Sequence, residues 1–244
     1  MNLYIHMNVE FVKEYPILYI KDISCLVIGD LHIGKEDLFK NRGVVFLNAT
    51  KRMSQILEKE INEKKAEKLV LLGDIKESIM YPEKKEYLLL KEFFEVIKNK
   101  IKIYITKGNH DGHIEEIIDM MGIKAKIKNE ILIKDYAFLH GNGLPSNKAI
   151  LKKYIISAHA HAVDDNGKRI WITAPLGKGA LELYKPVNKK CKLIIVPQFN
   201  ELLTGLNINK VATFLPMLRK DIFSIKKAQY FYLNEKILKT KNNY

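Results

Sequence analysis

The stretch Lys107-Gly108-Asn109-His110-Asp111 follows an apolar run, 101–105, that is typical of a buried β-strand. Gly108 permits a sharp turn where the strand ends, and three polar side chains then follow in succession. In α/β proteins, ligands bind at the carboxyl ends of the strands. Because Asn, His and Asp are poor core residues, the stretch predicts one part of a functional site in an α/β fold.

The chain upstream and downstream of this stretch changes character. Before residues 107–111, strands alternate with amphipathic helices in a βαβαβ order. The strands are predicted at 17–20, 25–28, 68–72 and 101–105, and the two helices at 46–63 and 83–99. After residues 107–111, a short helix is predicted around 114–121, ending at Gly122. The later part of the chain predicts strands that are joined by short connections. These strands lie at 127–133, 136–139, 154–156, 170–174, 179–184, 192–196 and 230–233. The second half therefore predicts antiparallel pairing in a meander.

The composition is that of an ordinary globular protein. The 244 residues are 47% hydrophobic and 28% charged, with a mean hydropathy of −0.14. We expect a single domain over 1–244, with no membrane span and no signal peptide, and hence a cytoplasmic protein. Cys25 and Cys191 both lie in apolar runs, which favours buried small hydrophobic residues over a disulfide or a zinc site.

The net charge of +13 is concentrated toward the C-terminus. From Lys185 to Tyr244 there are twelve Lys and Arg residues against three acidic ones, which accounts for +9. Such a region can hold a polyanion such as nucleic acid, or it can simply form a solvated, lysine-rich surface. Charge alone leaves both interpretations open.

Five predicted strand ends carry groups that can bind a metal ion. They present Asp30 and His32, Asp74, Asn109 and His110, His140, and finally His159 and His161. Five of the seven histidines of the chain belong to these segments, and only His6 and His113 lie outside them. A single histidine after a strand is usually structural, but this convergence predicts a metal site. Imidazole with carboxylate and amide oxygen suits Mn, Fe, Zn or Ni better than Ca or Mg.

The order of these motifs resembles that of the calcineurin-like metallophosphoesterases. Asp-x-His at 30–32, Gly-Asp at 73–74, Gly-Asn-His-Asp at 108–111, a lone His140 and His-x-His at 159–161 follow one another as in that superfamily. The run 197–205, Pro-Gln-Phe-Asn-Glu-Leu-Leu-Thr-Gly, further resembles the small archaeal SbcD-related phosphoesterases, which are similar to the bacterial ligase-associated phosphoesterases.

The resemblance implies a fold and a set of roles. The fold is a four-layer α/β/β/α sandwich of two mixed sheets flanked by helices, which the part from about 185 onward completes. Two divalent metal ions are implied, with Mn favoured and Fe, Ni or Zn as alternatives. The first would be held by Asp30, His32 and His161, and the second by Asn109, His140 and His159. Asp74 would bridge the two ions, His110 would act as general acid, and Asp111 would orient His110.

Four residues near these motifs have roles that the sequence leaves open. Many relatives carry Asp or His three positions after the Gly-Asp aspartate, where this chain has Glu77. Glu77 is expected to support a ligand from outside the metal shell, with a plain surface charge as the alternative. Lys35, Lys76 and Lys107 could steer phosphate, but in so lysine-rich a chain a solvated side chain is the simpler interpretation.

The implied reaction is phosphodiester hydrolysis by a metal-bridging hydroxide, as in a nuclease acting on nucleic acid. Hydrolysis of a small phosphodiester such as a cyclic nucleotide, or of a phosphomonoester, is the alternative. A non-catalytic scaffold of the same fold would have lost ligands, and all eight key positions are filled here. Related nucleases form dimers, so a homodimer is a second arrangement to test beside the monomer.

Overall fold

Two six-stranded β-sheets form the centre of the structure. The computed structural model describes residues 8–40, 48–234 and 236–238. The first sheet contains, in both chain and spatial order, β1 (Val9–Phe11), β2 (Leu18–Ile20), β3 (Cys25–Ile28), β4 (Lys68–Leu71), β5 (Lys102–Thr106) and β6 (Ala125–Lys128). From β3 to β6 the strands are parallel, whereas β1, β2 and β3 pair antiparallel. The first sheet is therefore mixed.

The second sheet is mixed as well. The remaining strands along the chain are β7 (Glu130–Ile133), β8 (Tyr136–Leu139), β9 (Tyr154–Ser157), β10 (Ala162–Val163), β11 (Ile170–Pro175), β12 (Lys192–Ile195), β13 (Leu206–Asn207) and β14 (Gln229–Tyr232). The spatial order of the second sheet is β14-β11-β12-β9-β8-β7, while β10 and β13 form a separate parallel pair. Its central pairings, β8 with β9 and β9 with β12, are parallel.

The inner strands are buried on both faces, because each sheet is covered on both sides. In β3, Leu26 and Ile28 pack under the helices that follow the first sheet, while Cys25 and Val27 face the second sheet. In β12, Ile194 faces the first sheet, whereas Leu193 and Ile195 face the helices that cover the second sheet. This alternation of faces follows from the period of two in a strand. The stacked rings of Phe11 and Trp171, 4.2 Å apart, join the two sheets in the central layer.

Helices form the two outer layers. They are α1 (Lys35–Lys40), α2 (Ala49–Lys64), α3 (Lys84–Ile97), α4 (Ile114–Met120), α5 (Lys178–Leu183), α6 (Ile208–Phe214) and α7 (Pro216–Arg219), with 3₁₀ turns at Lys21–Ile23, Ala149–Leu151 and Ile225–Lys227. Helices α2, α3 and α4 cover the first sheet, and α5, α6 and α7 cover the second. The predicted four-layer α/β/β/α sandwich is confirmed. Within the described ranges, no helix has the length and apolar character needed to cross a bilayer.

Three details of the predicted elements are wrong. Residues 179–184 were expected to form a strand but lie largely in α5, where Ala180 is buried and Leu181 and Leu183 are exposed. Ala, Leu and Glu are good helix formers, so the local composition favours the observed helix. The predicted strand 127–133 is two strands, β6 and β7, which lie at the edges of different sheets. The parallel centre of the second sheet replaces the predicted meander.

Candidate functional site

The loops after β3, β4, β5, β8 and β9 place the predicted site residues at the carboxyl ends of both sheets. Five of these side chains sit on backbone with positive φ, a conformation that non-glycine residues rarely adopt. They are Asp30 (φ 56°), His32 (40°), Asp74 (49°), His159 (68°) and His161 (44°). Such conformations cost free energy and cluster at functional sites, where the surrounding structure enforces them.

Two glycines allow these loops to approach one another closely. A Cβ atom at Gly108 would overlap the carboxylate and the backbone nitrogen of Asp74. Gly73 has φ +76°, and a Cβ atom there would lie 2.6 Å from Nδ1 of His140. Glycine is required at both positions because a side chain would push the loops of β4, β5 and β8 apart.

Asp30, His32 and His161 form the first cluster, with one potential ligand atom from each lying within 4.8 Å of the others. Nε2 of His161 lies 3.4 Å from Oδ1 of Asp30. The Asp30 carboxylate is fully buried and accepts a hydrogen bond from the backbone N–H of His159. Nε2 of His32 and Nε2 of His161 are buried without a hydrogen-bond partner among the described residues. Two orphaned imidazole nitrogens beside a buried carboxylate fit a divalent cation.

Asp74, His140 and His159 form the second cluster, again with their potential ligand atoms within 4.8 Å of one another. Nδ1 of His140 donates to the carbonyl oxygen of Leu72 at 2.7 Å, which directs Nε2 into the site. That Nε2 lies 3.2 Å from the amide oxygen of Asn109. The second cluster therefore contains the donors that the sequence assigned to a second metal ion.

Asp74 stands between the two clusters. Its Oδ2 lies 3.3 Å from Nε2 of His32 and 3.4 Å from Nε2 of His140. Burial opposes ionisation, but the neighbouring His140 and His32 outweigh it and hold the pKa of Asp74 well below its usual range. Burial likewise disfavours charged imidazole, yet Asp74 beside each ring raises the pKa of His32 and of His140 to about 9. The Asp74 carboxylate thus belongs to the second cluster, lies next to His32 of the first, and is strongly held in its anionic form.

His110 is fixed by three contacts with residues 74–77. Its backbone N–H donates to Oδ1 of Asp74 at 2.9 Å, and its carbonyl oxygen accepts from Nζ of Lys76 at 2.7 Å. Nδ1 of its ring lies 2.5 Å from the carbonyl oxygen of Glu77, which requires the proton on Nδ1. The ring lies 4.7 Å from the His32 ring, so it stands beside the first cluster.

The resemblance implies that Asp111 orients His110, and that role stays a prediction. Its carboxylate oxygens accept hydrogen bonds from the backbone N–H groups of Ile75 and Gly108, both at 2.8 Å. Burial raises the pKa of Asp111. The Asp111 carboxylate thus joins the loops after β4 and β5, while the His110 ring is hydrogen-bonded to the Glu77 carbonyl.

Glu77 supports His32 from outside the cluster. One carboxylate oxygen lies 2.8 Å from Nδ1 of His32, and the other accepts from Nζ of Lys35 at 2.8 Å. A carboxylate on one imidazole nitrogen fixes the tautomer and directs the other nitrogen toward a metal ion. A third cluster, whose potential ligand atoms also lie within 4.8 Å of one another, consists of His32, Glu77 and His110. Since Glu77 is already hydrogen-bonded to both histidines, it supports their orientation.

The remaining lysines near the motifs also have local partners. Lys76 is fully buried, and its ammonium group donates to four backbone carbonyls, those of Ser78, Ile79, Met80 and His110. Lys107 pairs with Glu115 at 2.8 Å on the surface. In this structure Lys76 therefore ties loops together and is out of reach of a phosphate group.

Two site residues were not anticipated from the sequence. The side chain of Asn200 donates to the carbonyl oxygen of Leu31 at 2.8 Å and so supports the 30–32 loop. Asn200 belongs to the run 197–205 that carried the closer resemblance, which was the available signal. Phe214 stacks on the ring of His159, with centroids 4.8 Å apart. Phe214 carried no sequence signal, because it lies in the weakly patterned C-terminal region.

A four-layer sandwich with these Asp, His and Asn donors at the ends of both sheets defines the class of metal-dependent phosphoesterases. This chain belongs to the calcineurin-like phosphoesterase family, whose family model matches residues 23–215. It is therefore a hydrolase that acts on phosphoester bonds, in a family that binds divalent metals.

The nuclease MPE shares the fold at low sequence identity, and a second solved structure is similar to a lesser degree. The nuclease MPE of Pseudomonas putida is 15% identical, with a TM-score of 0.58, over 90% of this chain and 89% of that chain. YfcE, a phosphoesterase from E. coli, is 13% identical, with a TM-score of 0.40, over 88% of this chain and 96% of that chain. No curated protein matches the sequence significantly.

Proposed function

We propose that this protein is a two-metal phosphodiesterase that cleaves nucleic acid. The observation that carries the two-metal part is the position of Asp74, whose Oδ2 lies 3.3 Å and 3.4 Å from the inward nitrogens of two histidines in different clusters. In this assignment Asp30, His32 and His161 would hold one ion. Asn109, His140 and His159 would hold the other, and Asp74 would be available to both. Manganese is the leading ion, because imidazole, carboxylate and amide oxygen suit it.

The protein residues divide the work of hydrolysis. When bound, paired divalent ions lower the pKa of water and offset the negative charge of the phosphate group. Asp74 stays anionic because its pKa is held low, so it can serve both ions at neutral pH. His110 keeps its Nδ1 proton on the Glu77 carbonyl, which leaves Nε2 as the atom that holds and transfers a proton to the leaving oxygen. Asn200 and Glu77 keep the His32 loop and ring in place.

The basic C-terminal region supports nucleic acid as the substrate, since it carries +9 of the net charge from Lys185 onward. One observation favours a smaller phosphodiester or a phosphomonoester as the second candidate. After His161, β11, β12 and β14 complete the second sheet, and α5, α6 and α7 cover it. Most of the described C-terminal region is therefore used to build the sandwich itself. A homodimer could extend the surface available to a polymer.

The test is a substrate panel on protein stripped with a chelator and reloaded with Mn²⁺. The substrates are bis-p-nitrophenyl phosphate, p-nitrophenyl phosphate, and labelled single- and double-stranded DNA. We expect cleavage of the first compound and of DNA, lost on chelation and in Asp74→Asn. Cleavage of bis-p-nitrophenyl phosphate without DNA cleavage would favour the small-substrate candidate. If the reloaded protein contains metal but hydrolyses none of the four, the proposed function is wrong.

A further inference from the structure

Phe214 is a large apolar side chain exposed beside the candidate site. The residue is 46% exposed and is the last residue of α6. Its ring stacks on the ring of His159, with centroids 4.8 Å apart and an interplanar angle of 29°. His159 in turn lies 4.5 Å from His140, ring to ring, within the second cluster. One face of the Phe214 ring therefore covers a candidate ligand, and the high exposure leaves the rest of the ring open to solvent.

The position of this ring is fixed by its own helix. Helix α6 follows directly on β13, whose first residue, Leu206, donates a backbone hydrogen bond to His161 at 2.8 Å. Val211 and Leu215, three residues before and one residue after Phe214, are fully buried. The backbone of Phe214 is thus anchored to the loop that carries His159 and His161. An aromatic ring held in this way is preorganised for stacking, because little conformational entropy is lost when a ligand covers it.

Three cationic residues close to Phe214 along the chain favour an anionic ligand. Lys210, Arg219 and Lys220 are exposed in the same stretch of chain, α6 and α7 with the residue that follows. An aromatic platform combined with cationic side chains is the arrangement by which proteins hold single-stranded nucleic acid, where bases stack and phosphates pair with Lys and Arg. In a duplex both faces of a base are already covered by its neighbours, so a base that stacks on Phe214 must be unpaired.

We propose that Phe214 stacks on an unpaired nucleobase next to the scissile phosphate, and so selects single-stranded or frayed nucleic acid. The proposal rests on the proposed phosphodiesterase function and names its substrate class. A ring that only shields His159 from water would affect every substrate equally. A ring that stacks on a base affects only substrates that carry a base.

The experiment compares a single-stranded oligonucleotide with the same backbone bearing abasic tetrahydrofuran residues. Both are tested with the Mn²⁺-loaded wild-type protein, Phe214→Ala, Phe214→Trp and the control Leu183→Ala, which removes a 53%-exposed side chain from α5. The readout is the ratio of kcat/KM for the base-bearing and the abasic strand. We expect Phe214→Ala to lower this ratio by ~5- to 150-fold, as base stacking predicts. Phe214→Trp should restore the ratio, and Leu183→Ala should leave it at the wild-type value.

A binding measurement gives a second readout that does not depend on turnover. With an oligonucleotide containing 2-aminopurine and the metal-free protein, we expect fluorescence quenching by stacking in the wild type and in Phe214→Trp, but not in Phe214→Ala. Equal losses on both strands, or a wild type with no preference for the base-bearing strand, would overturn the inference. Hydrolysis of bis-p-nitrophenyl phosphate without cleavage of either strand would overturn the inference about Phe214, while the protein would still be a phosphodiesterase. Failure on all three substrates would refute the proposed function itself.

Discussion

His110 takes its orientation from one short segment of the chain. Asp74 holds its backbone nitrogen, Lys76 holds its carbonyl oxygen, and the Glu77 carbonyl holds its Nδ1. The same segment supplies the carboxylate that lies between the two clusters. The proposed proton donor and the proposed shared ligand are therefore positioned by the same segment, so a change in one of these contacts should affect a defined step of the proposed reaction.

Replacing His110 by alanine tests its role as proton donor. We expect His110→Ala to keep its metal content, because the ring stands beside the first cluster and in neither proposed ligand set. Turnover of a dinucleotide should fall by ~10²–10⁴-fold, since its alkoxide leaving group needs a proton. The loss should be smaller on bis-p-nitrophenyl phosphate, whose leaving group departs as an anion. Metal analysis and kcat on both substrates measure this, with His113→Ala as control, and equal losses on both would contradict the assignment.

Lys76 is predicted to position His110. Lys76→Met removes the buried ammonium group that donates to four backbone carbonyls, which should lower the free energy of unfolding by about 1–3 kcal/mol. Because one of these carbonyls belongs to His110, we also expect a larger loss of kcat on the dinucleotide than on bis-p-nitrophenyl phosphate. Lys76→Arg retains a cation and should recover part of both effects.

The control for this change is Lys107→Met, a lysine three residues before His110. Its ammonium group pairs with Glu115 on the surface, where an ion pair contributes about 0–1 kcal/mol. Chemical denaturation and steady-state kinetics on the two substrates are the measurements. If Lys76→Met lost activity equally on both substrates, Lys76 would support the fold alone, without positioning His110.

At the scale of elements, the loops of the site depend on close backbone contact. Gly108→Ala places a Cβ atom against the Asp74 carboxylate, so either the loop after β5 or Asp74 itself must move. Such overpacking typically costs ~1–3 kcal/mol, and we expect it to weaken metal retention as well. Gly143→Ala is the matched control, because no atom of the described residues lies within 4 Å of a Cβ atom there. Thermal unfolding and metal content would show the difference, and normal values for Gly108→Ala would mean that the loops tolerate separation.

Element prediction succeeded where one residue pattern decided the structure. The apolar runs before Asp30, Asp74 and Asn109 are strands because their apolar side chains pack on both faces of a covered sheet. The prediction of a strand at 179–184 was wrong, since these residues lie largely in helix α5. Gly179 approaches the backbone of Lys220 closely, which is a contact distant in sequence. Likewise, nothing within 127–133 indicated that β6 and β7 would join different sheets, since sheet membership depends on distant strands.

The candidate site likewise has a part that the sequence predicted and a part that only the structure shows. The motifs identified nearly every residue that the structure brings together, because each motif is local in sequence. The contacts that hold these residues were not foreseeable: Lys76 on four carbonyls, Asp111 on two backbone N–H groups, and Phe214 on His159. Each of these contacts depends on how loops from separate strands meet. The role of Glu77 was predicted in part. Its position after the Gly-Asp motif suggested that it supports a metal ligand, but only the structure identifies that ligand as His32.

At the scale of the whole molecule, the site exists only when both sheets are packed together. Asp30, His32 and Asp74 come from loops of the first sheet, whereas His140 and His161 follow strands of the second. The two sheets meet across an apolar layer that includes Phe11 and Trp171. A metal ion that binds both groups of ligands therefore binds the folded state and not the unfolded chain, so metal binding should add directly to global stability.

Metal loading should accordingly raise the melting temperature of the entire protein. At a free Mn²⁺ concentration of ~100 times Kd the gain is about 2.7 kcal/mol, which corresponds to ~5–10 °C for a chain of this size. Asp74→Asn removes the carboxylate shared by both clusters and should abolish most of this shift, whereas Asp119→Asn, the same change at an exposed position on α4, should retain it. Thermal unfolding with Mn²⁺ and with a chelator measures the effect, and elemental analysis gives the bound metal. A full shift in Asp74→Asn would show that the ions are held without this residue, and the two clusters would then act as independent sites.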